Sequence, residues 1–463
     1  MAPLLLTLCA GTALLFSPAR ASVPAPRPQL RVAAPQLVAD WRPAAVTKVS
    51  TPTLSVAIFK NLIGAGVFLI PAGVVRVGLA PALLALVIAG VISAATFYAF
   101  GRAASQTGTR TTSDMWSATV GPKSAWAYDS VLFLMCFGGL IQYTVTIVNL
   151  LQQVPAPAAL AVLSQRTPAV LAVSATLLPL ALCRDLHAFR HASLVGVYAA
   201  ISSVGFVVLR ALDGTYRAGG RFFTPAVAAA APAPWGFTKM SLLLPYLASL
   251  NSAFTAHTNV PRYYNELRSG KLRDFGVAAV LAFGACIVLY AAVVVGGALT
   301  FGRNLADGRM LLAHYHPADR GALAMRLATA LSVAGGYPHL FLAARDLCAS
   351  GIFSVAQRFG GEGEGGGWTA RASRALAALG ASHRALTLAV SAATLVGVLA
   401  AKNLEAIFVL RGALFTSWIS FGFAGLVLRA SSPKGGAGAR GGAILVAYAA
   451  VSSVVSSYLS LRN

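Results

Sequence analysis

The sequence predicts an all-α, polytopic membrane protein, and three observations lead to this fold class. Of its 463 residues, 57% are hydrophobic and 11% are charged, whereas soluble domains carry about 25% charged residues. The mean hydropathy is +0.72. The apolar residues fall in runs of about 17 to 25 residues, the length of helix that crosses a bilayer core. These runs lack the alternation of a membrane barrel, so the spans are predicted to be helices.

The apolar runs follow one another along a single predicted transmembrane domain, residues 46–463. The fourth run is short and contains Pro179, so its limits are the least well defined. About eleven transmembrane helices are predicted, at 54–75, 79–101, 127–150, 167–184, 192–210, 237–259, 275–300, 321–343, 383–401, 404–428 and 441–460.

The net charge of +23 does not predict a nucleic-acid partner. Lys and Arg stand singly between the apolar runs and form no basic stripe with interleaved aromatic residues. They are interpreted as loop charges that set the orientation in the bilayer, with the mature N-terminus in the cytoplasm. The five cysteines are far apart and show no metal-ligand spacing. No metal or other cofactor is predicted.

Residues 1–45 are set apart from the fold as a leader. Leu4 to Phe16 forms an apolar stretch of signal-peptide length, and Ala19-Arg20-Ala21 offers a cleavage site. The basic stretch that follows resembles the second part of an organelle-targeting leader. A disordered tail behind a signal-like anchor is the alternative. The leader makes an organelle membrane, of a plastid or a vacuole, an expected location.

Two apolar runs are interrupted at corresponding places in two halves of the chain. The first contains KNLIGAG at 60–66, with a charge and two glycines inside the span, and Pro71 follows. The sixth is interrupted by Pro245, Asn251, Ser252, Thr255, His257, Asn259 and Pro261. Broken spans at equivalent positions of two repeats are typical of a transporter binding site. This pattern predicts a 5+5 inverted repeat with one extra helix.

Unwound backbone at membrane depth also indicates what such a site binds. It is tolerated only where it faces protein or a water-filled cavity. Freed N–H groups favour a carboxylate and freed carbonyl groups favour an ammonium. An amino acid presents both groups. The alternative for the glycines is close packing between helices.

Four collinear segments resemble the amino acid/auxin permease family. They are NLIGAGVFLIP at 61–71, LCRDLHAFRHAS at 182–193, HTNVPRYYNEL at 257–267, and YPHLF at 337–341 with ARD at 344–346. The resemblance runs in order from about residue 50 to residue 460. It implies a LeuT-like inverted-repeat transporter fold and amino acids as the substrate class.

The resemblance also bears on the coupling ion. The family's sodium-coupled branch has an Asn four residues before the glycine pair, where this chain has Lys60. That branch has a Thr where this chain has Gly335 and Gly336. Proton-coupled or uncoupled transport is therefore predicted in preference to sodium coupling. Lys60 replaces a cation or releases a proton in this interpretation; the alternative is a side chain that extends to the interface.

The predicted site residues fall into two groups. The substrate-binding group is Gly64, Ala65, Gly66, Asn251, Ser252 and Phe254. The coupling or gating group is Lys60, Asn61, His257 and Tyr143. Three alternatives stay open: a core role for Phe254, a structural hydrogen bond for His257, and helix–helix bonding for the polar stripe of Tyr143. Glu405 and Arg411 are assigned no role.

The predicted function is secondary active transport of amino acids by alternating access. Its expected partners are the amino acid, possible coupling protons and the lipid bilayer, and the predicted state is a monomer. An amino-acid sensor on the same fold is one alternative, although the longest predicted inner loop, 345–382, is short and Gly-rich. The second alternative is a transporter that carries another small organic solute. An enzyme is not predicted, because the spans hold no catalytic set of residues.

Overall fold

The computed structural model describes residues 48–155, 158–183, 190–224, 232–359, 378, 380, 382–401, 403–433 and 435–462. Across these residues the regular structure is helical, and the one β-type pairing is an isolated bridge between Val49 and Leu267. The predicted leader, 1–45, lies outside the described residues.

The helices begin and end close to the limits of the apolar runs. In chain order they are α1 (Thr51–Leu62), α2 (Ile70–Val77), α3 (Leu79–Thr107), α4 (Thr112–Thr119), α5 (Ala125–Leu151), α6 (Arg166–Leu182), α7 (Arg190–Leu212), α8 (Leu243–Ala253), α9 (Val260–Glu266), α10 (Leu272–Phe301), α11 (Arg320–Phe359), α12 (His383–Ala400), α13 (Leu404–Arg411), α14 (Phe423–Ala430) and α15 (Ala437–Arg462). Two π-helical turns, Gly412–Thr416 and Trp418–Gly422, join α13 to α14.

The all-α membrane fold class is confirmed. In the described part of the chain, eight helices are long and apolar enough to span a membrane, and a bent pair brings the number to nine. That pair is Thr51–Leu62 with Gly66–Val77, which meet at 47°. The fourth predicted span, α6, is a shorter apolar helix. The sixth, 237–259, contains α8 and ends in the 3-10 turn before α9. The number of eleven spans stays a prediction.

The spanning helices are apolar on several faces because one side packs inward and the other meets lipid. Phe97, Phe275 and Phe283 cluster inside the bundle, each less than 2% exposed. Leu84 and Val288 point outward from α3 and α10, with exposed fractions of 61% and 63%. An outward apolar surface of this kind suits the hydrocarbon core, so the protein is a multi-pass membrane protein.

Candidate substrate site

The first span is broken between α1 and α2. Ile63 is extended, and Gly64 is extended with φ −141° and ψ 177°. Ala65–Leu69 then forms a 3-10 turn, and Pro71 lies in the first turn of α2, where a proline needs no N–H partner. Gly64 supplies no side-chain cap to the turn. The first N–H groups of a helical segment have no partner within it, so they face the break.

The second break separates α8 from α9. Phe254 caps the end of α8, where its N–H donates to the Leu250 carbonyl at 2.9 Å. A short 3-10 turn, His257–Asn259, precedes α9. The hydroxyl of Thr255 donates to the carbonyl oxygen of Asn251. Pro261 begins α9 in the same way as Pro71 begins α2. Both predicted interruptions are therefore real breaks in helices.

A single tyrosine joins the two breaks. The Tyr290 hydroxyl, on α10, lies 2.8 Å from the carbonyl oxygen of Leu62 and 3.1 Å from that of Ala253. These carbonyls belong to the last residues of α1 and α8, which have lost their helical partners. The side chain is 1% exposed. Sequence reasoning missed Tyr290, although a lone hydroxyl in the apolar run 275–300 was a signal.

The two glycines of the first break have different surroundings. A Cβ atom at Gly64 would meet no heavy atom within 4 Å. One at Gly66 would lie 2.8 Å from a ring carbon of Phe408, on α13. Gly66 thus permits close packing against α13, while Gly64 borders open space. Ala65 lies between them at the start of the 3-10 turn.

The predicted residues of the second break contact neighbouring helices. The Asn251 amide nitrogen donates to the Ser417 hydroxyl at 2.7 Å and to the Tyr448 hydroxyl at 3.0 Å. The Ser252 hydroxyl donates to the Phe408 carbonyl at 3.1 Å. Phe254 is fully buried, with its ring centroid 5.0 Å from that of Tyr290. These contacts fix α8 against the helix that contains α13 and α14, and against α15.

The coupling candidates lie on different sides of the breaks. Lys60 is half-buried and Asn61 is exposed at the end of α1. The ammonium of Lys60 interacts electrostatically with the imidazole of His339, an exposed residue of α11. His257 is instead fully buried, and its Nε2 lies 2.9 Å from the Thr96 hydroxyl. The hydrogen-bonded structural role left open for His257 agrees with this position.

Tyr143 lies on a face of α5 that also meets Arg411. A Cβ at Gly336 of α11 would lie 3.4 Å from the Tyr143 ring. A Cβ at Gly138 would lie 3.6 Å from Cγ and Cδ of Arg411, and one at Gly139 would lie 3.5 Å from Nη1 of Arg411. The glycines therefore make room for a guanidinium beside α5. Arg411 was assigned no role from the sequence, because spacing along the chain does not show what faces it.

An ion pair closes one side of the bundle. The Arg76 guanidinium, at the end of α2, lies 3.0 Å from the Glu405 carboxylate at the start of α13. The same guanidinium donates to the Ala306 carbonyl at 2.9 Å. A cleft beside this pair reaches Tyr246 and Ser249 of α8. Glu405, also assigned no role from the sequence, thus links the first broken span to α13.

Metal ligands do not gather in the described part of the chain. Among those residues, no group of three or more His, Cys, Asp or Glu side chains could hold a metal ion. The site is instead built from backbone groups at two helix breaks, one bridging tyrosine and a small number of polar side chains from α5, α11 and α13.

The comparison with protein families fits this arrangement. Residues 47–434 match the family described as transmembrane amino acid transporter protein. The chain belongs to this family. The match covers both helix breaks and the residues of α5, α11 and α13 described above, so the resemblance read from four short segments is confirmed.

Two curated relatives are similar to this chain. The chain is 24% identical over 295 residues to vacuolar amino acid transporter 6 of Saccharomyces cerevisiae, which covers 59% of this chain and 60% of that protein. It is 25% identical over 284 residues to vacuolar amino acid transporter 5 of Schizosaccharomyces pombe, covering 60% and 64%. The chain thus spans less than two thirds of the length of the relatives that it matches.

A solved structure supports the fold of this member of the transmembrane amino acid transporter family. It is a sodium-coupled sialic acid symporter in a substrate-bound, outward-open state, with a TM-score of 0.54 and 12% identity. The similarity covers 100% of this chain and 95% of the symporter chain. At this identity it shows the inverted-repeat transporter fold and nothing about the substrate or the ion.

Proposed function

We propose that this protein is a secondary active transporter that moves amino acids across a membrane by alternating access. The observation that carries the proposal is the meeting of both helix breaks at the Tyr290 hydroxyl. Two unwound segments at one point offer N–H groups for a carboxylate and carbonyl groups for an ammonium. Family membership and the two vacuolar amino acid transporters support the substrate class.

Alternating access is supported by contacts at opposite ends of the broken spans. At one end, Arg76 of α2 pairs with Glu405 of α13. At the other, the Val49 N–H donates to the Glu266 carbonyl at 2.8 Å, and the Arg268 N–H donates to the Val49 carbonyl at 2.9 Å. The start of α1 and the end of α9 are thus joined and can move together. Each end has its own set of contacts to break, as rocking around a central site requires.

The proposed coupling is to protons, or transport is uncoupled. Lys60 places an ammonium at the end of α1, beside the first break, and its charge reaches His339 of α11. A fixed cation at this point opposes the binding of a second cation. Lys60 and His339 can instead exchange protons with water. A sodium site does not supply such proton exchange.

An organelle membrane is the proposed location, since both curated relatives are named as vacuolar. The proposed state is a monomer, because the two repeats of one chain contribute both helix breaks to a single site.

The test is uptake into liposomes that contain the purified full chain. A mixture of labelled amino acids is offered under an imposed pH gradient and then under a sodium gradient. Lys60→Ala is measured in parallel, with Lys123→Ala as the control, because Lys123 is exposed before α5. The pH gradient is expected to drive accumulation in the wild type and in the control, and Lys60→Ala is expected to abolish this drive.

Other outcomes would reject parts of the proposal. Sodium-driven uptake would contradict the role of Lys60 and leave transport itself intact. Binding of amino acids without uptake would contradict transport and favour the sensor. Uptake of neither amino acids nor any other small solute would reject the function as a whole.

A further inference from the structure

Arg411 is a cation inside a membrane-spanning helix, and the described structure gives it no anion. Its Nε atom is buried without a hydrogen-bond partner, and no described carboxylate lies within 4 Å of its guanidinium. The neighbours that act on its charge are the Tyr143 hydroxyl and the Cys136 thiol, groups that are neutral near pH 7. Arginine cannot lose its proton to avoid this cost. The side chain as a whole is partly exposed, but a cation whose Nε is buried and unpaired within a membrane span calls for an anionic ligand.

Arg411 also lies beside the first helix break. Gly66 packs on Phe408, which precedes Arg411 by three residues on α13. At 1.5 Å per residue, the two positions are about 4.5 Å apart along the helix axis. The π-helical turn Gly412–Thr416 begins at the next residue, and π-bulges are frequent at functional sites. The guanidinium is thus carried on the same element that contacts the unwound segment.

Gln142 gives a second, independent sign of a missing ligand. Its side chain is 3% exposed, and its Oε1 has no hydrogen-bond partner in the described structure. Its Nε2 would lie 3.9 Å from a Cβ at Gly66, so the amide lies beside the break, on the same helix whose Gly138 and Gly139 face Arg411. An unpaired buried acceptor destabilises the protein unless a donor occupies it. A ligand N–H group would satisfy it.

We propose that Arg411 binds the side-chain carboxylate of the transported amino acid, so that aspartate and glutamate are the preferred substrates. This rests on the proposed function, which assigns the α-carboxylate to the free N–H groups of the first break. With that carboxylate already bound, the guanidinium remains for a second one, which only an acidic amino acid carries. A guanidinium binds a carboxylate through two parallel N–H···O bonds.

The test compares glutamate with glutamine, which have almost the same size and differ in charge. Binding to the purified full chain is followed by thermal stabilisation, and uptake is followed in liposomes. The wild type is expected to bind glutamate at least about ten-fold more tightly than glutamine, the range of a hydrogen-bonded charge. Arg411→Gln is expected to lose this preference, with glutamate binding falling about ten-fold more than glutamine binding. Arg429→Gln, an exposed arginine at the end of α14, is the matched control and should keep the preference.

Arg411→Lys provides a second variant if Arg411→Gln does not fold. It keeps the charge without the two-pronged geometry, so it should retain the preference for glutamate with weaker binding. A wild type that binds glutamine as tightly as glutamate would overturn the inference without any variant. Equal losses for both amino acids in Arg411→Gln would also overturn it, since they would place the α-carboxylate at Arg411. Uptake and binding of neutral amino acids alone would reject this inference and preserve the proposed function, whereas no amino acid bound or carried would reject both.

Discussion

The guanidinium of Arg76 lies 3.0 Å from the carboxylate of Glu405, and this contact joins α2 to α13 at one end of the bundle. The Glu405 side chain is 10% exposed and that of Arg76 is 34% exposed, so the pair is only partly screened by water. While the pair holds, α2 and α13 cannot move apart at this end. The pair therefore resists opening of the cleft beside it.

Glu405→Gln is expected to open that end more often, because it removes the charge and keeps the shape of the side chain. The measurement is the rate at which a membrane-impermeant thiol reagent labels Ser249→Cys, in a background without native cysteines. Ser249 lines the cleft beside the ion pair. We expect labelling to rise several-fold. Glu266→Gln is the control, since Glu266 pairs with Arg262 within α9; equal rates in all three proteins would contradict the role given to Glu405.

Tyr290→Phe is expected to destabilise the protein by about 1–3 kcal/mol, because two buried carbonyl groups lose their shared donor. Thermal unfolding in detergent measures the change. Transport should fall as well, since the hydroxyl holds the ends of α1 and α8 together. Tyr198→Phe is the control, because Tyr198 is 72% exposed on α7. Equal melting temperatures for the two variants would show that the hydroxyl does not hold the breaks.

Gly64→Ala and Gly66→Ala are expected to differ although the glycines are two residues apart. At Gly66 the new methyl group would lie 2.8 Å from the Phe408 ring, and overpacking of this kind costs about 1–3 kcal/mol. At Gly64 the backbone is extended and the space is open, so the fold should keep its stability. The methyl group would instead occupy space proposed for the substrate and weaken its binding. Thermal unfolding and binding, measured on both variants, test the distinction; equal destabilisation would contradict it.

Asp319→Asn is expected to destabilise the protein by about 3 kcal/mol, because it leaves Arg210 without its main partner. The Asp319 side chain is 1% exposed, and its carboxylate receives hydrogen bonds of 2.9 Å from Arg210 Nε and Nη2. Burial would raise the pKa of Asp319, but the hydrogen bonds from Arg210, the Ala322 N–H and the Tyr216 hydroxyl, together with the charge of Arg210, hold the pKa below its ordinary 3.8. The Glu266→Gln variant, with its exposed pair, should lose well under 1 kcal/mol.

The lowered pKa of Asp319 also predicts a pH dependence. The folded state holds the carboxylate ionised more strongly than the unfolded state does. The resulting stability is present above pH 3.8, the ordinary value, and is lost as the pH falls through the lower folded pKa. Unfolding measured from pH 7 down to pH 3 should show this loss in the wild type and a smaller one in Asp319→Asn. Parallel pH curves for the two proteins would contradict the assignment.

Much of the architecture could be predicted from the sequence because a bilayer restricts the choices. Long apolar runs must form helices there, and most of the predicted limits agree with helices of the structure. The two breaks could also be predicted, since Gly64 and Gly66 weaken a helix and Pro71 and Pro261 restart one. The number of spans could not be predicted in the same way, because α6 is short and α8, the helix of the sixth run, has only 11 residues.

The contacts within the site could not be predicted in the same way. Asn251 stays a predicted substrate residue, but the sequence did not show that its amide donates to Ser417 and Tyr448. Tyr290 and Arg411 were passed over, because a lone polar residue in an apolar run does not reveal its neighbours. Those neighbours come from helices far away in sequence, and only packing brings them together.

By itself, the sequence determined that this chain crosses a membrane repeatedly as helices and that its first and sixth spans break. These properties follow from local composition, because hydrocarbon excludes charge and unpaired backbone. Only the tertiary structure decided that one hydroxyl, from Tyr290, holds both breaks and that Arg411 lies beside them with no carboxylate partner among the described residues. Distances between residues on different helices depend on how whole helices pack, and no local pattern in the chain records them.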